Sequence, residues 1–322
     1  MAAIYSRPQI ESVIRPADVV AAMEKAFAAY SRGEAVIPPV GHIDFADPPG
    51  EGHIKYGYLR GGETFTVKIA TGFYENSKRG LPSGDGVILV FSSQTGQLLT
   101  ILQDQGYLTD IRTAAAGAVA AKYLARAVRC IGIVGAGVQA HLQLEDLATV
   151  MQCRRAMIWA RSAERAKAFA VDGFEVRVAS DIRELLAECN LVVTTTPSRE
   201  PLIPAEQVKP GTHITAVGAD GAGKQEIDPA LFAKAKLCVV DSRSQCSTFG
   251  DTSLALQRGF IQPENLVELG EIIQHPGKYR CGEDDITIAD LTGVAVQDIA
   301  IAELAVEKLR EDSAPAGGET GA

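Results

Sequence analysis

The sequence contains no uninterrupted apolar run that reaches the roughly 18 residues needed by a membrane-spanning helix. It also lacks any run of basic residues, and its net charge is -9. An acidic chain without a basic patch is a poor partner for nucleic acid and for an anionic membrane surface. We therefore expect neither nucleic acid nor a membrane among its partners.

Cysteine and histidine are scarce and widely spaced. None of the six cysteines has a partner at Cys-x-x-Cys spacing, and the five histidines show no spacing typical of metal ligands. We expect buried free thiols, no metal site and a reducing, cytoplasmic location. The first residues, up to Pro8, lack the apolar core of a secretory signal peptide, which agrees with that location.

The first part of the chain has the pattern of a helix followed by an antiparallel sheet. The 322 residues, 46% of them apolar, suffice for two domains with sizeable cores. An amphipathic pattern predicts a helix over residues 16–32. Tight turns separate the short strand-like runs 52–59, 64–69, 86–91 and 98–102. An alanine-rich helix over residues 112–127 is predicted to connect this domain to the next.

From residue 129 onward, strand-like and helix-like segments alternate, as they do in doubly wound α/β folds. The predicted strands cover residues 131–134, 156–160, 175–178, 191–195, 213–217 and 237–240. We therefore predict an α/β protein with a Rossmann-type doubly wound parallel sheet over residues 120–295. Residues 1–119, joined by a final helix over 296–312, form an α+β, mostly antiparallel domain, and residues 313–322 form a disordered tail.

The most informative segment is the apolar run Ile131–Val134, which leads into the pattern Gly-x-Gly-x-x-Ala. Gly135 permits a tight turn from strand to helix, and Gly137 lets the backbone approach a pyrophosphate. Ala140 allows the helix to pack closely on the strand, and the N–H groups of the helix N-terminus face the phosphates. This pattern between a strand and a helix predicts a dinucleotide site, with an ordinary glycine turn as the alternative.

The residues that follow the second strand decide which dinucleotide is preferred. An acidic residue there binds the ribose of NAD, but this sequence has Arg161 at that position, followed by Ser162 and Arg165. Guanidinium groups and a hydroxyl can bind a 2′-phosphate. The sequence therefore predicts NADP(H) as the preferred cofactor. NAD(H) remains possible, with Arg161 stacked on the adenine.

Asp220 and Lys224 follow the fifth predicted strand in a glycine-rich loop. In a doubly wound sheet, the carboxyl ends of the strands form the ligand crevice. A carboxylate in that crevice can carry a proton, or hold a substrate amine or a water molecule. The alternative is a loop with two solvated charges.

Two basic residues of the first domain are candidates for substrate binding. Lys68 lies between Val67 and Ile69 in a strand, where an ammonium group needs an anionic partner if it is buried. Arg112 begins the connector helix. An outward-facing strand lysine is the alternative interpretation of Lys68.

Taken together, these segments resemble the ornithine cyclodeaminase/μ-crystallin family of NAD(P)-dependent enzymes, over roughly residues 19–309. The resemblance rests on an ordered set of motifs: Val67-Lys68, Gly80-Leu-Pro-Ser83, Leu108-Thr-Asp-Ile-Arg112-Thr113-Ala-Ala-Ala, Gly135-Ala-Gly137-Val-Gln-Ala140, Val217-Gly-Ala-Asp220 with Gly-Lys224-Gln-Glu226, and Thr292-Gly-Val-Ala-Val-Gln297-Asp298. It implies a Rossmann domain and an antiparallel substrate domain that forms a homodimer through its sheet.

The resemblance also implies roles for individual residues. Lys68 and Arg112 would bind the substrate carboxylate. Asp220 would be the catalytic acid or base, and Lys68 is the second catalytic candidate. The candidate substrate-binding residues are Lys68, Arg112, Lys55 and Lys224. The candidate cofactor-binding residues are Thr113, Gly135, Gly137, Val138, Gln139, Ala140, Arg161, Ser162, Arg165, Thr195, Val217, Gly218 and Ala219.

The chain departs from the family pattern at two positions. Many members have an arginine after a Pro-Pro turn, whereas Val40 follows Pro39 here. Ornithine cyclodeaminases place an acid on the next strand for the distal amine, and Lys55 occupies the approximate match. A lysine repels an ammonium group, which makes ornithine a poor substrate. Lys55 either replaces the missing arginine, binds an acidic substrate group, or is a surface lysine.

The resulting prediction is an NAD(P)H-dependent oxidoreductase that reduces a 2-imino acid or cyclic ketimine to an amino acid, or catalyses the reverse. The first alternative is a cyclodeaminase of the ornithine or lysine type, which eliminates ammonia with the help of NAD. The second is a non-catalytic protein that binds NADPH or another small molecule.

Overall fold

The structure is a computed structural model that describes residues 1–73 and 75–313. The chain divides into two compact units. Unit 1 contains residues 1–22, 33–112 and the segment from residue 295 onward, and unit 2 contains residues 23–32 and 113–294. Apart from Ser313, the predicted disordered tail lies outside the described residues.

The first half of the chain supplies β1 (Ala3–Ser6), α1 (Arg7–Val13), α2 (Pro16–Ser31), β2 (Ala35–Val36), β3 (Gly41–Ala46), β4 (Pro49–Leu59), β5 (Thr64–Gly72), β6 (Gly84–Ser92), β7 (Leu98–Gln103) and α3 (Tyr107–Leu124). The second half supplies β8 (Ile131–Val134), α4 (Val138–Val150), β9 (Arg155–Trp159), α5 (Ala163–Ala168), β10 (Glu175–Val178), α6 (Ile182–Glu188), β11 (Leu191–Thr194), β12 (Arg199–Ile203), β13 (His213–Ala216), β14 (Gln225–Ile227), β15 (Leu237–Val240), α7 (Arg243–Cys246), α8 (Gly250–Gln257), β16 (Leu266–Glu268), α9 (Leu269–Gln274), β17 (Thr287–Asp290) and α10 (Ala295–Ser313). Short 3-10 helices cover Asn76–Arg79, Pro229–Leu231 and Pro263–Asn265.

Unit 1 is built on an antiparallel sheet with the strand order β1-β7-β6-β5-β4-β2, and β3 also pairs with β4. The pairs from β7 to β2 are antiparallel, whereas β1 runs parallel to β7. Helix α10 packs on one face of this sheet, against β4 and β5. Its buried residues, such as Ile299 and Ile301, form the core of unit 1 with Ile88 and Leu102 of the sheet.

Unit 2 is built on a parallel sheet with the order β10-β9-β8-β11-β13-β17-β15-β16. Within it, β10-β9-β8-β11-β13 follows the 3-2-1-4-5 order of doubly wound dinucleotide-binding folds, and the order reverses between β8 and β11. The strands are buried on both faces, as expected for a parallel sheet covered by helices. Strands β12 and β14 form a separate parallel pair at the carboxyl end of this sheet's β11 and β13.

The sequence pattern correctly identified most strands of both sheets but missed short or exposed elements such as β1, β3 and β12. These strands contain mostly exposed or half-buried residues, so they lack the apolar alternation that marks a strand. The connector helix was predicted to begin at Arg112, but α3 begins at Tyr107. The reason is Asp104, whose Oδ2 accepts a hydrogen bond of 2.9 Å from the backbone N–H of Leu108 and so caps the helix earlier.

The boundaries of the units differ from the predicted boundary at residue 119 in two places. Residues 113–119 belong to unit 2, where Gln143 Nε2 of α4 donates to the carbonyl oxygen of Thr113 at 3.1 Å. Residues 23–32 of α2 also belong to unit 2, because the helix packs closely on α9. A Cβ at Gly270 would lie 1.9 Å from the carbonyl oxygen of Phe27, so only glycine permits this approach.

Across the described ranges, every helix is too short or too polar to span a bilayer.

Candidate functional site

The predicted glycine turn lies at the carboxyl end of β8, at the point where the strand order of unit 2 reverses. Gly135 has φ = +121°, a conformation that side-chain-bearing residues rarely adopt. A Cβ on Gly135 would also lie only 2.4 Å from Thr195 Oγ1. By contrast, a Cβ on Gly137 would have no atom within 4 Å, so its absence leaves open space at the N-terminus of α4. Gly135 is therefore required by the fold, and Gly137 lies beside open space suited to a ligand.

A cavity of about 490 Å³ opens beside this turn. It combines the glycine turn, the end of β9 and the segment after β11, which together fit an extended dinucleotide. The residues that line it are Gly135, Ala136, Gly137, Trp159, Ala160, Arg161, Ser162, Arg165, Thr195, Thr196, Pro197, Ser198 and Leu202. Helix α4 begins at this cavity, and its N-cap residue makes no side-chain cap. Its first turn is thus oriented toward a phosphate-binding position.

Arg161, Ser162 and Arg165 lie together at one part of the cavity wall. Both arginines are exposed. The hydroxyl oxygen of Ser162 accepts a hydrogen bond of 3.2 Å from the backbone N–H of Arg165 and caps α5. This cap fixes the start of α5 at the cavity, with Arg161 just before the N-cap residue and Arg165 in the first turn of the helix.

The loops after β11 and β13 are joined by a buried carboxylate that the sequence analysis had not singled out. Glu226 of β14 accepts hydrogen bonds from the backbone N–H and the hydroxyl of Thr196, at 2.6 and 2.7 Å. Its other oxygen accepts from the hydroxyl of Thr194 at 2.8 Å and from the backbone N–H of Gly218 at 2.9 Å. Burial raises the pKa of Glu226 to about 7, against the lowering effect of these hydrogen bonds.

Asp220 and Lys224 form an ion pair in the loop after β13, with 2.7 Å between Lys224 Nζ and Asp220 Oδ1. The Asp220 side chain is exposed, whereas that of Lys224 is mostly covered. Because its loop follows β13, the pair lies in unit 2, on the carboxyl side of the parallel sheet.

Lys68 and Arg112 come together in unit 1 on a shared carboxylate. Lys68 Nζ donates to Asp298 Oδ1 at 2.8 Å, and Arg112 Nε donates to the same oxygen at 3.1 Å. Arg112 Nη1 also donates to Gln297 Oε1 at 3.2 Å. All four side chains are buried, with Lys68 only 2% exposed, so the alternative of an outward-facing Lys68 is wrong.

Lys55 lies directly opposite Lys68 in the register of β4 and β5, so both side chains project from the same face of the sheet. Two lysines at facing positions repel each other. Consistent with this, the charge of Lys55 lowers the pKa of both Lys68 and Asp298. The structure thus places Lys55 beside Lys68, one of the two predicted carboxylate-binding residues.

Burial and neighbouring charges shift the pKa values of Lys68 and Asp298. The pKa of Lys68 is lowered to about 7, mainly because burial penalises the charged ammonium, and Asp298 only partly opposes that fall. Burial alone would raise the pKa of Asp298, but the three surrounding cations hold it below its usual range. At neutral pH, Asp298 is therefore ionised and Lys68 is partly protonated.

Some predicted cofactor residues lie beside the cavity rather than in its wall. Ala140 is a buried residue of α4, where it permits close packing of the helix on β8, and Val138 is exposed at the helix start. Within the described residues, the wall does not include Thr113, Val138, Gln139, Ala140, Val217, Gly218 or Ala219. Conversely, Gln297, Asp298 and Glu226 take part in these contacts without a role having been predicted for them. The signal available for Asp298 was an acidic residue beside an apolar segment, as in Val-Ala-Val-Gln297-Asp298.

Comparison with known proteins identified similar chains along nearly the full length. The sequence model described as "Ornithine cyclodeaminase/mu-crystallin family" matches residues 2–313. A relative from Sinorhizobium fredii, named an uncharacterized cyclodeaminase, is 43% identical over 305 residues, which make up 92% of each chain.

Two solved structures are similarly close. An archaeal alanine dehydrogenase dimer with bound NAD has a TM-score of 0.89 and 33% identity, and the match covers 99% of each chain. The Δ(1)-pyrroline-2-carboxylate reductase of Thermococcus litoralis, in complex with NADH and L-proline, has a TM-score of 0.90 and 31% identity over 98% of this chain and 99% of that chain. The predicted fold class is confirmed, and the nicotinamide dinucleotides in both complexes support the predicted cofactor type.

Proposed function

Since the chain belongs to the ornithine cyclodeaminase/mu-crystallin family, we propose that it reduces the C=N bond of a 2-imino acid or cyclic ketimine, or catalyses the reverse oxidation. The observation that carries this proposal is the buried group of Lys68 and Arg112 on Asp298, in a chain that also has a dinucleotide cavity. Amino-acid chemistry requires a carboxylate-binding site, and nicotinamide chemistry requires a dinucleotide site.

In this proposal, Lys68 and Arg112 bind the substrate carboxylate. Lys68 and Arg112 are two cations that share a single carboxylate oxygen, Asp298 Oδ1, so an anionic ligand relieves the repulsion between them. A guanidinium group binds a carboxylate through two parallel hydrogen bonds, which fixes the orientation of the substrate as well as its position. Fixing the carboxylate orients the neighbouring α-carbon for reaction.

The bound nicotinamide cofactor supplies the hydride in reduction and accepts it in oxidation. We propose a preference for NADP(H), with NAD(H) as the less favoured cofactor. The support is the position of Arg161, Ser162 and Arg165 in the cavity wall, where two guanidinium groups and a hydroxyl can bind a 2′-phosphate. The backbone around Gly137 and the first turn of α4 are suited to the pyrophosphate.

Asp220 is proposed as the group that transfers a proton to or from the reacting nitrogen, or holds a water molecule. Its loop follows the carboxyl end of β13, the side of a doubly wound sheet on which ligands bind. The ion pair with Lys224 restricts the orientation of the carboxylate. Such a restricted carboxylate suits general acid–base chemistry.

A homodimer is proposed through the sheet face of unit 1 that α10 leaves uncovered. Large apolar side chains from β3, β4 and β5 project from this face and are partly exposed, namely Ile43, Phe45, Tyr56, Tyr58 and Ile69. Contiguous exposed apolar side chains mark protein interfaces. A second copy of this chain would cover them.

We further propose a cytoplasmic location, in keeping with widely spaced cysteines.

The decisive experiment is a spectrophotometric screen for oxidation of NADPH and NADH. The panel contains pyruvate or glyoxylate with amines, oxaloacetate with ammonia, and cyclic imines such as pyrroline-2-carboxylate. We expect stoichiometric cofactor oxidation with at least one imine, and its loss in the Asp220→Asn and Arg112→Gln variants. Oxidation that persists unchanged in both variants would contradict the proposed roles.

The second candidate is a cyclodeaminase, favoured by the name of the relative from Sinorhizobium fredii. Such an enzyme releases ammonia from a diamino acid while the cofactor is regenerated in each cycle. Ammonia release from ornithine or lysine with only catalytic cofactor would favour it over the reductase. Lys55, next to Lys68, argues against a substrate with a distal ammonium group.

A non-catalytic binding protein would bind NADPH tightly and turn over no member of the panel.

A further inference from the structure

Glu226 joins two loops at the cofactor cavity of unit 2. One loop begins at Thr194, the last residue of β11, and includes Thr196 in the cavity wall. The other begins after β13 and contains Gly218. We propose that Glu226 is a positioning residue, which holds these two loops in the arrangement that orients the nicotinamide end of the cofactor. The inference rests on the proposed use of this cavity by a nicotinamide dinucleotide.

The hydrogen-bonding pattern requires two accepting oxygens at position 226, which the carboxyl group of a glutamate provides. The backbone N–H of Thr196 donates to Oε1, whereas the backbone N–H of Gly218 donates to Oε2. Backbone N–H groups cannot reverse their direction, unlike hydroxyl groups, so both side-chain oxygens must accept. A glutamine has only one such oxygen, and its amide nitrogen would face an N–H donor in one of the two loops.

The two loops are also in close contact, so a movement of the Gly218 loop would displace Thr196. A Cβ on Gly218 would lie 2.4 Å from the backbone nitrogen of Thr196 and 2.6 Å from Glu226 Oε2. Thr196 in turn lies against the glycine turn, because a Cβ on Gly135 would be 3.3 Å from its Cγ2. Release of the Gly218 loop would therefore reach the cavity wall through Thr196.

A second buried carboxylate nearby provides a matched control. Asp251 of α8 accepts hydrogen bonds of 2.8 Å from the backbone N–H groups of both Glu226 and Ile227, but both donate to the same oxygen, Oδ1. Its Oδ2 has no hydrogen-bond partner among the described residues. An asparagine can therefore keep both bonds and place its amide nitrogen at the Oδ2 position. Asp251→Asn and Glu226→Gln each remove one buried carboxylate, but only the second breaks a loop contact.

The experiment compares the two variants in binding and turnover. We measure the dissociation constant of the reduced cofactor preferred by the wild-type protein and that of the matching ADP-ribose fragment, which lacks nicotinamide. We also measure kcat and KM with the best imine of the panel. For Glu226→Gln we expect a kcat that is about tenfold to hundredfold lower, as small misplacements of reacting groups produce. We expect weaker binding of the whole cofactor and unchanged binding of the fragment.

The control and a second variant decide the remaining outcomes. Asp251→Asn should keep all these values within about twofold of wild type, since its backbone hydrogen bonds survive. If Glu226→Gln behaves like Asp251→Asn, or loses fragment affinity as much as cofactor affinity, the positioning role is overturned. If Glu226→Gln does not fold, Thr194→Val removes one hydroxyl donor to Oε2, and an unchanged kcat and cofactor affinity in that variant overturn the role. The binding measurements need no substrate, so they remain decisive if every imine fails and the proposed reaction is wrong.

Discussion

At the scale of single residues, the protonation of Lys68 depends strongly on its buried surroundings. Its folded pKa of about 7 means that the ammonium group loses its proton as the pH rises through neutrality. Because the proposed role needs the protonated form to bind a carboxylate, we predict that kcat/KM falls as the pH rises above about 7. The pH profile of kcat/KM for the imine, measured with saturating cofactor, reports this group in the enzyme–cofactor complex to which the imine binds.

A Lys68→Arg variant is the control for that profile. Arginine keeps its charge at every pH accessible to the protein. The variant should therefore have a lower activity at neutral pH, owing to the altered geometry, but no decline near pH 7. A decline of the same size and midpoint in the arginine variant would assign the titration to another group.

Arg161 is the residue on which the cofactor preference depends in this proposal. We predict that Arg161→Ala raises the KM for NADPH by at least about tenfold, equivalent to the loss of about 1.4 kcal/mol, and changes that for NADH much less. Steady-state kinetics with both cofactors measure the ratio. Arg183→Ala, at an exposed position of α6 away from the cavity wall, provides the matched control. An equal change for both cofactors would mean that Arg161 binds a part common to them, such as the adenine.

The role of a residue could be predicted from the sequence where it belongs to a local pattern. It could not be predicted where the residue's partner lies far away along the chain. Gly135 and Gly137 could be interpreted from their immediate neighbours, because turn and helix follow within a few residues. Lys68 could be recognised as unusual, but its partner Asp298 is 230 residues away along the chain. Glu226 gave no sign that it would accept hydrogen bonds from two loops.

At the scale of elements, strands could be predicted where burial makes their apolar pattern continuous. The strands β8, β11 and β13 of unit 2 are buried on both faces and were found within one residue of their ends. The exposed strand β3 was missed, and the start of α3 was wrong because a capping residue, Asp104, precedes the alanine-rich pattern. Exposure and capping depend on residues that are close in space, and the periodicity of a sequence segment carries no information about them.

The uncovered face of the unit 1 sheet leads to a prediction about assembly. Ile43, on β3, is 49% exposed and belongs to the apolar surface proposed as the dimer interface. We predict that Ile43→Glu converts the dimer to a monomer, because a buried carboxylate without a partner would destabilise the interface. Light scattering coupled to size-exclusion chromatography measures the mass. Val178→Glu changes an exposed apolar residue of unit 2 in the same way and should leave the mass unchanged. A wild-type chain that is monomeric at micromolar concentration would contradict the proposed interface.

At the scale of the whole molecule, the two units contain buried groups that titrate with opposite effects on stability. In unit 2, the pKa values of Asp146, Glu226 and Asp251 are each raised to about 7, mainly by burial. The folded chain keeps these protons while the unfolded chain releases them near pH 4, so their contribution to stability declines between about pH 4 and 7. In unit 1, Lys68 releases its proton at about 7, against 10.5 without burial, so its contribution rises between pH 7 and 10.5.

Asp146 isolates the first of these effects, because it is buried in α4 and has no role in the proposed chemistry. Its pKa is raised to about 7, first by burial and then by the charge of Glu145. As the pH rises from 5 to 8, the folded protein must accommodate an ionised buried carboxylate, which an asparagine avoids. We compare the free energy of unfolding of Asp146→Asn with that of the wild type at pH 5 and at pH 8. We predict that the difference shifts in favour of the variant by at least about 1.4 kcal/mol between these pH values, the equivalent of one pKa unit. Urea unfolding at both pH values measures the difference, with the exposed Asp172→Asn as control. Wild-type and Asp146→Asn stabilities that change in parallel over this range would show that the carboxyl group titrates alike in the folded and unfolded chains.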